Sequence, residues 1–409
     1  MSELRSVQEH LDRVLAAAKP LPTERVAVPD ARGRTLAEPL RARVDIPVFD
    51  NSAMDGFAVL FADVQDASPD TPVQLEVVAD LPAGTALDPA IERGQAVRIM
   101  TGSAVPTAAD AIVPFEDTVG GLGDSLSRIT VVAAPRSIGA HIRRRAGDAH
   151  AGDELLPAGA VLGALQLAAA AAAGVTELVV ARRPRVAVVS TGSELVPPGS
   201  PLLRGQIPES NSELLSGLVI EAGADLVLRL TVPDDGDGPV QAVAEASARG
   251  ADVVIFTGGV SAGAYEPVKA TLGHTMEFTK VAMQPGKPQG FGVAGGMLLF
   301  GLPGNPVSAA VSFEVFVRPA LLSLHGRSEV QRPVLRLHAA AGWRTPLARR
   351  QYLPVTLDRT DPARWSVRPA TGGGSHLAGG LARAEAYAIV DADVTLVDVG
   401  DSVDVMLIS

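Results

Sequence analysis

The chain has 409 residues, and this length predicts several domains rather than one hydrophobic core. Hydrophobic residues make up 47% of the sequence and charged residues 20%, which is typical of a folded globular protein and excludes a disordered one. The formal net charge of −11 argues against broad affinity for nucleic acids, and the absence of cysteine excludes disulfides, a cysteine nucleophile and thiolate metal sites.

The N-terminus contains Glu3 and Glu9 and no apolar segment of the kind found in signal peptides, so we expect no signal peptide. The most apolar helical segment, residues 162–173, is too short to span a bilayer, so we expect no membrane association. Since the lack of cysteine also fits a reducing compartment, we expect a cytoplasmic protein.

The first predicted element is a helix within residues 1–19, because apolar residues recur there at helical spacing and Pro20 follows. Residues 45–58 are dense in small polar side chains between apolar neighbours. Such a segment is costly to bury unless its carboxylates and amides have partners, so it predicts either a tight turn or a site. The basic and then acidic segment 141–153 predicts a solvated loop.

Short strands are predicted between residues 73 and 132, which indicates a separate β-rich domain. The strand patterns cover residues 73–81, 95–102, 110–118 and 128–134. A second helix is predicted over the alanine-rich segment 162–173.

Residues 182–327 alternate strands and helices at the spacing of βαβ units, which predicts an α/β domain with a mostly parallel sheet. Three of its strands, at residues 185–191, 252–256 and 297–301, run into loops rich in glycine, proline or polar residues. Ligands in open α/β sheets bind at the carboxyl ends of strands, so these three loops predict one shared pocket.

The last part of the chain, residues 332–409, returns to short alternating strands and predicts a small β-barrel or sandwich. The strand patterns cover residues 334–340, 352–358, 365–370, 386–392 and 402–408.

Carboxylates accompany the glycine-rich loops at four positions, Glu194, Asp234, Asp235 and Glu266. A carboxylate about 4 Å from a phosphate would cost roughly 4 kcal/mol at an effective dielectric constant near 20, so these acids cannot face an anionic ligand unshielded. A divalent cation removes the conflict, and hard oxygen ligands favour Mg²⁺. The sequence contains no P-loop, Rossmann fingerprint, HExxH zinc motif or GxSxG elbow.

Seven segments in order resemble the molybdopterin molybdenumtransferases, which include MoeA in bacteria and the E domain of gephyrin in animals. They are DNSAMDGFAV (50–59), RIMTGSAVP (98–106), IRRRAGD (142–148), STGSEL (190–195), FTGGVSAG (256–263), QPGKP (284–288) and GLPGNPVS (301–308).

The resemblance implies four domains. They are a discontinuous helical linker domain (1–44 and 146–181), an inserted β-rich domain (45–145), a three-layer α/β molybdopterin-binding domain (182–328) and a C-terminal domain like a small β-barrel (329–409). It also implies an elongated homodimer in which the β-rich domain of one subunit completes the cleft of the other. Transient contacts with the adenylyltransferase and with molybdoenzymes are further expectations.

The implied reaction inserts molybdate into adenylylated molybdopterin, forms the molybdenum cofactor and releases AMP. Carried over by motif position, the catalytic candidates are Asp55, Thr101, Asp148, Glu194, Asp235 and Glu266, and the metal candidates are Glu194, Asp234, Asp235 and Glu266. The candidates for binding the molybdopterin substrate are Gly192, Ser193, Gly258, Gly259, Ser261, Gly263, Lys287, Pro303, Gly304, Asn305 and Pro306.

Some of these residues have plain structural explanations. Pro303 and Pro306 fix the backbone of a loop whether or not a ligand is present, and the run Arg143, Arg144 and Arg145 could form salt bridges instead of ligand contacts. Glu266 occupies a position at which the family has an aspartate. It could still contribute to metal binding, or it could only stabilise the start of a helix in a divergent copy of the enzyme.

Two other functions remain open at the level of sequence. An adenylyltransferase would share only the α/β domain, whereas this chain also has the β-rich and C-terminal parts. A non-catalytic scaffold protein usually has long linker sequence, and we find none. Molybdate-dependent AMP release, pyrophosphate release from ATP, or neither would distinguish the three.

Overall fold

The structure is a computed structural model that describes residues 4–124, 126–260, 266–370 and 378–408. The helices of the described chain are α1 (Val7–Ala17), α2 (Phe61–Val64), α3 (Ala164–Ala172), α4 (Asn211–Glu221), α5 (Gly238–Ala248), α6 (Pro267–Leu272), α7 (Pro306–Ser312), α8 (Arg318–Leu324) and α9 (Ala378–Leu381).

The strands, in chain order, are β1 (Thr23–Ala27), β2 (Leu40–Arg41), β3 (Asn51–Ser52), β4 (Gly56–Val59), β5 (Val73–Leu81), β6 (Gln95–Ile99), β7 (Ala111–Pro114), β8 (Arg128–Val131), β9 (Ile142–Arg143), β10 (Glu154–Leu156), β11 (Glu177–Ala181), β12 (Arg185–Thr191), β13 (Leu195–Val196), β14 (Ile207–Pro208), β15 (Asp225–Val232), β16 (Val253–Thr257), β17 (Met276–Lys280), β18 (Met283–Gln284), β19 (Pro288–Ala294), β20 (Met297–Leu302), β21 (Val334–Ala339), β22 (Trp343–Arg344), β23 (Arg350–Asp358), β24 (Ser366–Pro369), β25 (Ala386–Val390), β26 (Leu396–Val397) and β27 (Ser402–Leu407).

Helix α1 begins at a capping box, in which Glu9 N donates to Ser6 Oγ (3.1 Å) and Ser6 N donates to the Glu9 carboxylate (2.8 Å). Its buried face joins the core cluster that also contains Phe316. The helix was predicted as part of the linker, but the structure packs it on the α/β part of the chain because its apolar stripe matches the buried face there.

The linker region is more strand-rich than its predicted helical character suggested. Strand β1 pairs with β11 and β2 pairs with β10, both antiparallel, beside the helix α3. These elements enclose their own small core around Leu36, Leu162 and Val180. The short strands form because the two chain segments cross side by side and satisfy each other's backbone hydrogen bonds.

The β-rich part has a five-stranded sheet in the order β7-β4-β6-β5-β8. It packs a core around Phe57, whose ring meets Phe115 edge to face at 5.1 Å between centroids. All four strands predicted between residues 73 and 132 are present.

The central sheet has the order β15-β12-β16-β20-β19-β17. Strands β15, β12, β16 and β20 are parallel, whereas β19 and β17 continue the sheet as antiparallel strands. Residues of β16 are buried on both faces, as the uninterrupted apolar run predicted. Helices cover both faces, so the expected three-layer domain with a mostly parallel sheet is confirmed.

The helical segment Pro306–Leu324 is long and apolar enough to cross a membrane by length and composition alone. However, 89% of its most apolar stretch is buried inside the protein. It includes a short π-helical turn, Phe313–Val317, and it packs against α1. The segment therefore acts as a core helix of the α/β layer.

The C-terminal strands form a closed barrel. Strand β23 pairs with β24 on one side and with β25 on the other, and the ring continues through β21 and β27. Each of the five strands predicted here is present. Strand β18 extends this sheet by pairing with β23, so the barrel is joined to the loop that precedes β19.

Candidate active site

The three strand exits meet at one edge of the central sheet, because β12, β16 and β20 are adjacent parallel strands. They border a cavity of about 780 Å³. Of the residues predicted to bind or react with the substrate, eleven line this cavity: Gly192, Glu194, Asp234, Gly258, Gly259, Glu266, Lys287, Pro303, Gly304, Asn305 and Pro306.

Gly258 permits the close approach of two of these loops. Its φ is +90°, and a Cβ atom at this position would lie 2.6 Å from the Thr191 carbonyl oxygen. The Gly258 N–H donates to the Leu302 carbonyl at 3.0 Å, which joins the β16 exit to the β20 exit. Only glycine satisfies both conditions, so the motif sequence here follows from the backbone geometry.

Asn211, at the start of α4, ties the loops together from the side. Its Nδ2 donates to Thr257 Oγ1 (2.9 Å) and to the Gly304 carbonyl (2.6 Å), while Thr257 Oγ1 donates to the Pro303 carbonyl (3.2 Å). This network fixes the PGNP loop (303–306) relative to β16. It rigidifies one wall of the cavity.

Glu209 is a buried carboxylate in the same wall, with 7% of its surface exposed. It accepts hydrogen bonds from Ser190 Oγ (2.9 Å), from Ser212 N (2.9 Å) and from Ser212 Oγ. Because its oxygens are already occupied, Glu209 positions β12 against the start of α4 and leaves ligand binding to other acids.

Three further carboxylates line the cavity: Glu194, which is exposed, and Asp234 and Glu266, which are half-buried. Ser193 N donates to Asp234 Oδ2 (3.0 Å) and Asp234 N donates to Ser193 Oγ (3.0 Å), so the β12 and β15 exits are locked together. Asp235 is exposed and does not line the cavity. Among the described residues, no group of three or more acids or histidines is close enough to hold a metal ion by itself.

Cationic and amide side chains line the same cavity. Lys287 lies in the loop before β19, and Arg349 comes from the C-terminal barrel. Arg349 Nη1 donates to Gln284 Oε1 at 2.7 Å. The cavity is therefore lined by both acidic and basic side chains, a combination that suits an anionic ligand with a bound cation.

Asp55 and Thr101 form a separate pair in the β-rich part. Thr101 N donates to Asp55 Oδ1 at 2.6 Å, and this backbone hydrogen bond, with one from the Thr101 side chain, holds the pKa of Asp55 below its usual range. Both residues are exposed, and neither lines the large cavity of the same chain. Asp148 is likewise exposed and outside that cavity.

Comparison with known proteins decides the family. Three protein-family models match consecutive parts of the chain: "MoeA N-terminal region (domain I and II)" matches residues 5–174, "Probable molybdopterin binding domain" residues 187–323, and "MoeA C-terminal region (domain IV)" residues 336–408. The molybdopterin molybdenumtransferase 2 of Mycobacterium tuberculosis (strain ATCC 25618 / H37Rv) is 44% identical, covering 98% of this chain and 99% of the relative. The chain belongs to the molybdopterin molybdenumtransferase family.

Other members extend this result. The molybdopterin molybdenumtransferase of Nostoc sp. is 36% identical over 94% of this chain and 88% of its own length. A solved MoeA protein from Pyrococcus horikoshii OT3 superposes with a TM-score of 0.83 at 26% identity, covering 99% of this chain and 100% of that one. Molybdopterin molybdenumtransferases are transferases of molybdenum cofactor biosynthesis, so the predicted family, enzyme class and pathway are confirmed.

Within this molybdenumtransferase, two predicted site residues, Ser261 and Gly263, lie outside the described residues. Ser193 supports the wall through Asp234 without lining the cavity itself. The arginine run forms ion pairs, Arg144 with Asp50 (2.5 Å) and Arg145 with Asp45, which favours the salt-bridge explanation.

Three residues that line the cavity were not predicted from the sequence patterns: Glu209, Asn211 and Arg349. The sequence around Asn211 does indicate the start of a helix, because a polar residue directly before an apolar helical pattern is typical of a helix N-terminus. No local sequence pattern indicates that Arg349 lines the cavity, since only the packing of the barrel against the α/β part brings it there.

Proposed function

We propose that this molybdenumtransferase inserts molybdate into adenylylated molybdopterin, forming the molybdenum cofactor and releasing AMP. The observation that carries the proposal is the cavity of about 780 Å³, which is lined together by three glycine-rich strand exits, by the acidic side chains Glu194 and Asp234 of neighbouring loops and by Lys287. Its size suits one elongated small molecule.

The residues of the chain would divide the work. The backbone N–H groups of the glycine loops and the Lys287 ammonium group bind phosphate oxygens of the substrate. Glu194 and Asp234 line the same cavity and hold the cation that accompanies the phosphates. Asn211 keeps the PGNP loop in place, so that the phosphoanhydride and the incoming molybdate meet in a fixed geometry.

The donor set fits Mg²⁺ in its usual phosphate-assisted mode. Mg²⁺ is commonly bound through one or two carboxylates together with substrate phosphates and waters, and Glu194 and Asp234 supply two carboxylates from neighbouring loops. When bound, Mg²⁺ would neutralise charge on the phosphoanhydride oxygens. Glu266 borders the same cavity, and we propose that it contributes to the metal or molybdate end despite its extra methylene group.

We also propose a homodimer in which Asp55, Thr101 and Asp148 of one subunit complete the cavity of the other. Two observations support this: these residues do not line the cavity of their own chain, and Val48 and Phe49 beside them are 50% and 44% exposed. Exposed apolar side chains next to a functional motif suit a covered surface. Transient contacts with the adenylyltransferase and with molybdoenzymes would pass substrate and product along.

The main test measures AMP release from adenylylated molybdopterin with and without molybdate and Mg²⁺. Release that depends on molybdate supports the proposal. Release of pyrophosphate from ATP, or no turnover by folded protein, contradicts it.

The composite site has its own test. Asp55→Asn and Glu194→Gln proteins, each inactive alone, should regain part of the activity when mixed, because one mixed cavity then holds both native residues. Tagged subunits report whether exchange has occurred. If subunits exchange and activity does not return, the composite site is wrong.

A further inference from the structure

A second cavity, of about 530 Å³, lies where the linker meets the α/β part. Its lining comes from β1, from the turn after β1, from the connection between β11 and β12, and from the first residues of β12 and β15. The described residues that line it are all charged, and four of the seven are arginines. We call it the arginine cavity.

The arginine cavity is separate from the large cavity of the candidate active site. Strand β12 begins at Arg185, which lines the arginine cavity, and ends at Thr191, which lines the large one. A strand of this length spans roughly 20 Å at about 3.3 Å per residue. The two cavities therefore lie at opposite edges of the central sheet, and no described residue lines both.

Arg34 is a buried arginine whose hydrogen-bonding groups are only partly used. The residue is 7% exposed, its Nη2 donates to the Ala181 carbonyl at 2.8 Å, and the same atom pairs with Glu24. The buried Nε has no hydrogen-bond partner among the described residues. Because buried polar groups normally have partners, this arginine has a donor left for a group that the described chain does not supply.

Arg185 is positioned beside the arginine cavity without an ion pair. A Cβ atom at Gly250 would lie 2.8 Å from Arg185 Nη1, so the missing side chain at Gly250 makes room for the guanidinium group. In the part of the chain that the structure describes, no carboxylate pairs with Arg185. Its guanidinium group therefore keeps its donors available at the cavity.

The remaining charges of the arginine cavity differ in how far they are neutralised. Arg182 is fully engaged, since it donates to both carboxylate oxygens of Asp252, at 3.0 and 2.7 Å. Arg183 Nη1 lies 3.6 Å from Asp225 Oδ1, which is too long for a good hydrogen bond. Asp30 is exposed and forms no ion pair with any described residue. It is the one lining acid that would repel an anion without an arginine beside it.

The charge of these arginines also acts on a buried histidine. His325 is 1% exposed, and its pKa is lowered to about 4 by burial and then by the charges of Arg327, Arg34 and Arg183. Two of these three arginines line the arginine cavity. The net charge of the protein is −11, so this region is a local exception to its acidic character.

The donors that remain suit a particular class of ligand. Guanidinium groups bind phosphate oxygens through pairs of parallel hydrogen bonds, and Arg34, Arg183 and Arg185 all line one cavity. A tetrahedral oxyanion has enough oxygens to accept from all three, whereas a carboxylate has only two. The volume of about 530 Å³ also leaves room for hydrating water or for a small phosphate ester.

We propose that the arginine cavity binds a tetrahedral oxyanion of the phosphate class, held by Arg34, Arg183 and Arg185. Arg34 belongs to the linker, whereas Arg185 begins a strand of the central sheet. A bound anion therefore ties the linker to the α/β part and stabilises their contact. The site does not depend on the proposed reaction.

The test follows the melting temperature of the full-length protein while sodium phosphate replaces sodium chloride at constant ionic strength. A ligand that binds only the folded protein raises the melting temperature, and the concentration dependence gives an apparent affinity. Arg185→Ala should weaken this affinity about tenfold, because charge-assisted hydrogen bonds are lost. Arg185→Lys should restore only part of it, since lysine offers a point charge without the planar fork.

A further variant changes the affinity in the opposite direction. Asp30→Asn should strengthen phosphate binding about threefold, because it removes a negative charge beside the anion. A merely structural role of the arginines would not produce this gain.

Two control variants show where the anion binds. Arg128→Ala is the matched control for Arg185→Ala, since Arg128 is also an exposed arginine at the start of a strand, in the β-rich part. Lys287→Ala alters the large cavity and leaves the arginine cavity intact. Both variants should bind phosphate within about twofold of the unmodified protein.

The same assay with molybdate, sulfate and acetate identifies the anion. The tetrahedral oxyanion that stabilises the protein at the lowest concentration, in a manner that depends on Arg185, is the ligand class present in the site. Acetate should be at least about tenfold weaker, because it has two oxygens on one side only.

Four outcomes overturn the assignment. They are no stabilisation by any tetrahedral oxyanion, an affinity of Arg185→Ala within about twofold of the Arg128→Ala control, stabilisation by acetate equal to that by phosphate, and loss of the phosphate effect in Lys287→Ala. The last outcome would place the anion in the large cavity instead.

Discussion

Two acidic regions of the molecule place glutamate in opposite environments. At the edge of the large cavity Glu194 is exposed, and no described residue pairs with its carboxylate. At the junction of the core helix with the C-terminal barrel, the Glu314 side chain is 2% exposed and accepts two hydrogen bonds from Arg332, at 2.9 and 3.1 Å. The cavity holds charge available for a ligand, whereas the junction holds charge that the protein itself has already neutralised.

The difference teaches where charge serves function and where it serves structure. Burial at the junction also lowers the pKa of Arg318 to about 10, with the nearby charge of Arg332 as the second cause. The fixed pair Glu314 and Arg332 joins two parts of the fold. The exposed Glu194 of the cavity contributes little to the stability of the fold, so its carboxylate can serve ligand binding or catalysis.

The largest expected effect is on the junction. Glu314→Gln should lower the free energy of unfolding by roughly 3–5 kcal/mol, because Arg318 and Arg332 then keep their charges in a buried site without a counter-charge. Urea denaturation measures this loss, and turnover per folded molecule should stay near normal. A stability loss below about 1 kcal/mol would remove the distinction between the two regions.

The second effect is on the cavity. Glu194→Gln should lower molybdate-dependent AMP release by about a hundredfold or more, since electrostatic stabilisation by a bound cation is worth several kcal/mol. The melting temperature should stay unchanged because the carboxylate is exposed and unpaired within the described chain. Near-normal turnover would place the functional acid elsewhere.

The third effect concerns pH. His10 and His325 are each 1% exposed, and burial, followed by nearby arginines, lowers the pKa of each from 6.5 to about 4. Between pH 6.5 and about pH 4 the unfolded chain binds more protons than the folded one, so the free energy of unfolding decreases as the pH drops below about 6.5.

From pH 7.5 to 5 the expected loss is about 2 kcal/mol per histidine. Urea denaturation at both pH values measures it, and His325→Gln should remove about half of the change. If His325→Gln leaves the change in the free energy of unfolding between these pH values unaltered, His325 is not protonated on unfolding in this range.

The smallest effect is expected for an exposed glutamate–arginine ion pair. Glu213 and Arg229 pair at 2.5 Å with side chains 64% and 45% exposed. Glu213→Gln should change the free energy of unfolding by less than about 1 kcal/mol, since solvent screens the pair. It is the matched control for Glu314→Gln, and a comparable loss in both variants would mean that burial does not set the cost.

The sequence determined the local structure to a large extent. The strands of the central sheet and of the barrel lie where the apolar patterns predicted them, because alternation and buried runs are properties of neighbouring residues. The glycine motifs were also interpretable, since Gly258 has a backbone conformation that excludes a side chain. Seven short motifs in order were sufficient to predict the family.

The tertiary structure alone decided which groups meet. Arg349 reaches the cavity from the barrel, Asn211 links two distant loops, and α1 packs on the α/β part instead of the linker. The same packing leaves Asp55 outside the cavity of its own chain. Contacts between residues far apart in sequence depend on how separately formed elements bury their apolar faces against each other, and no local pattern contains that information.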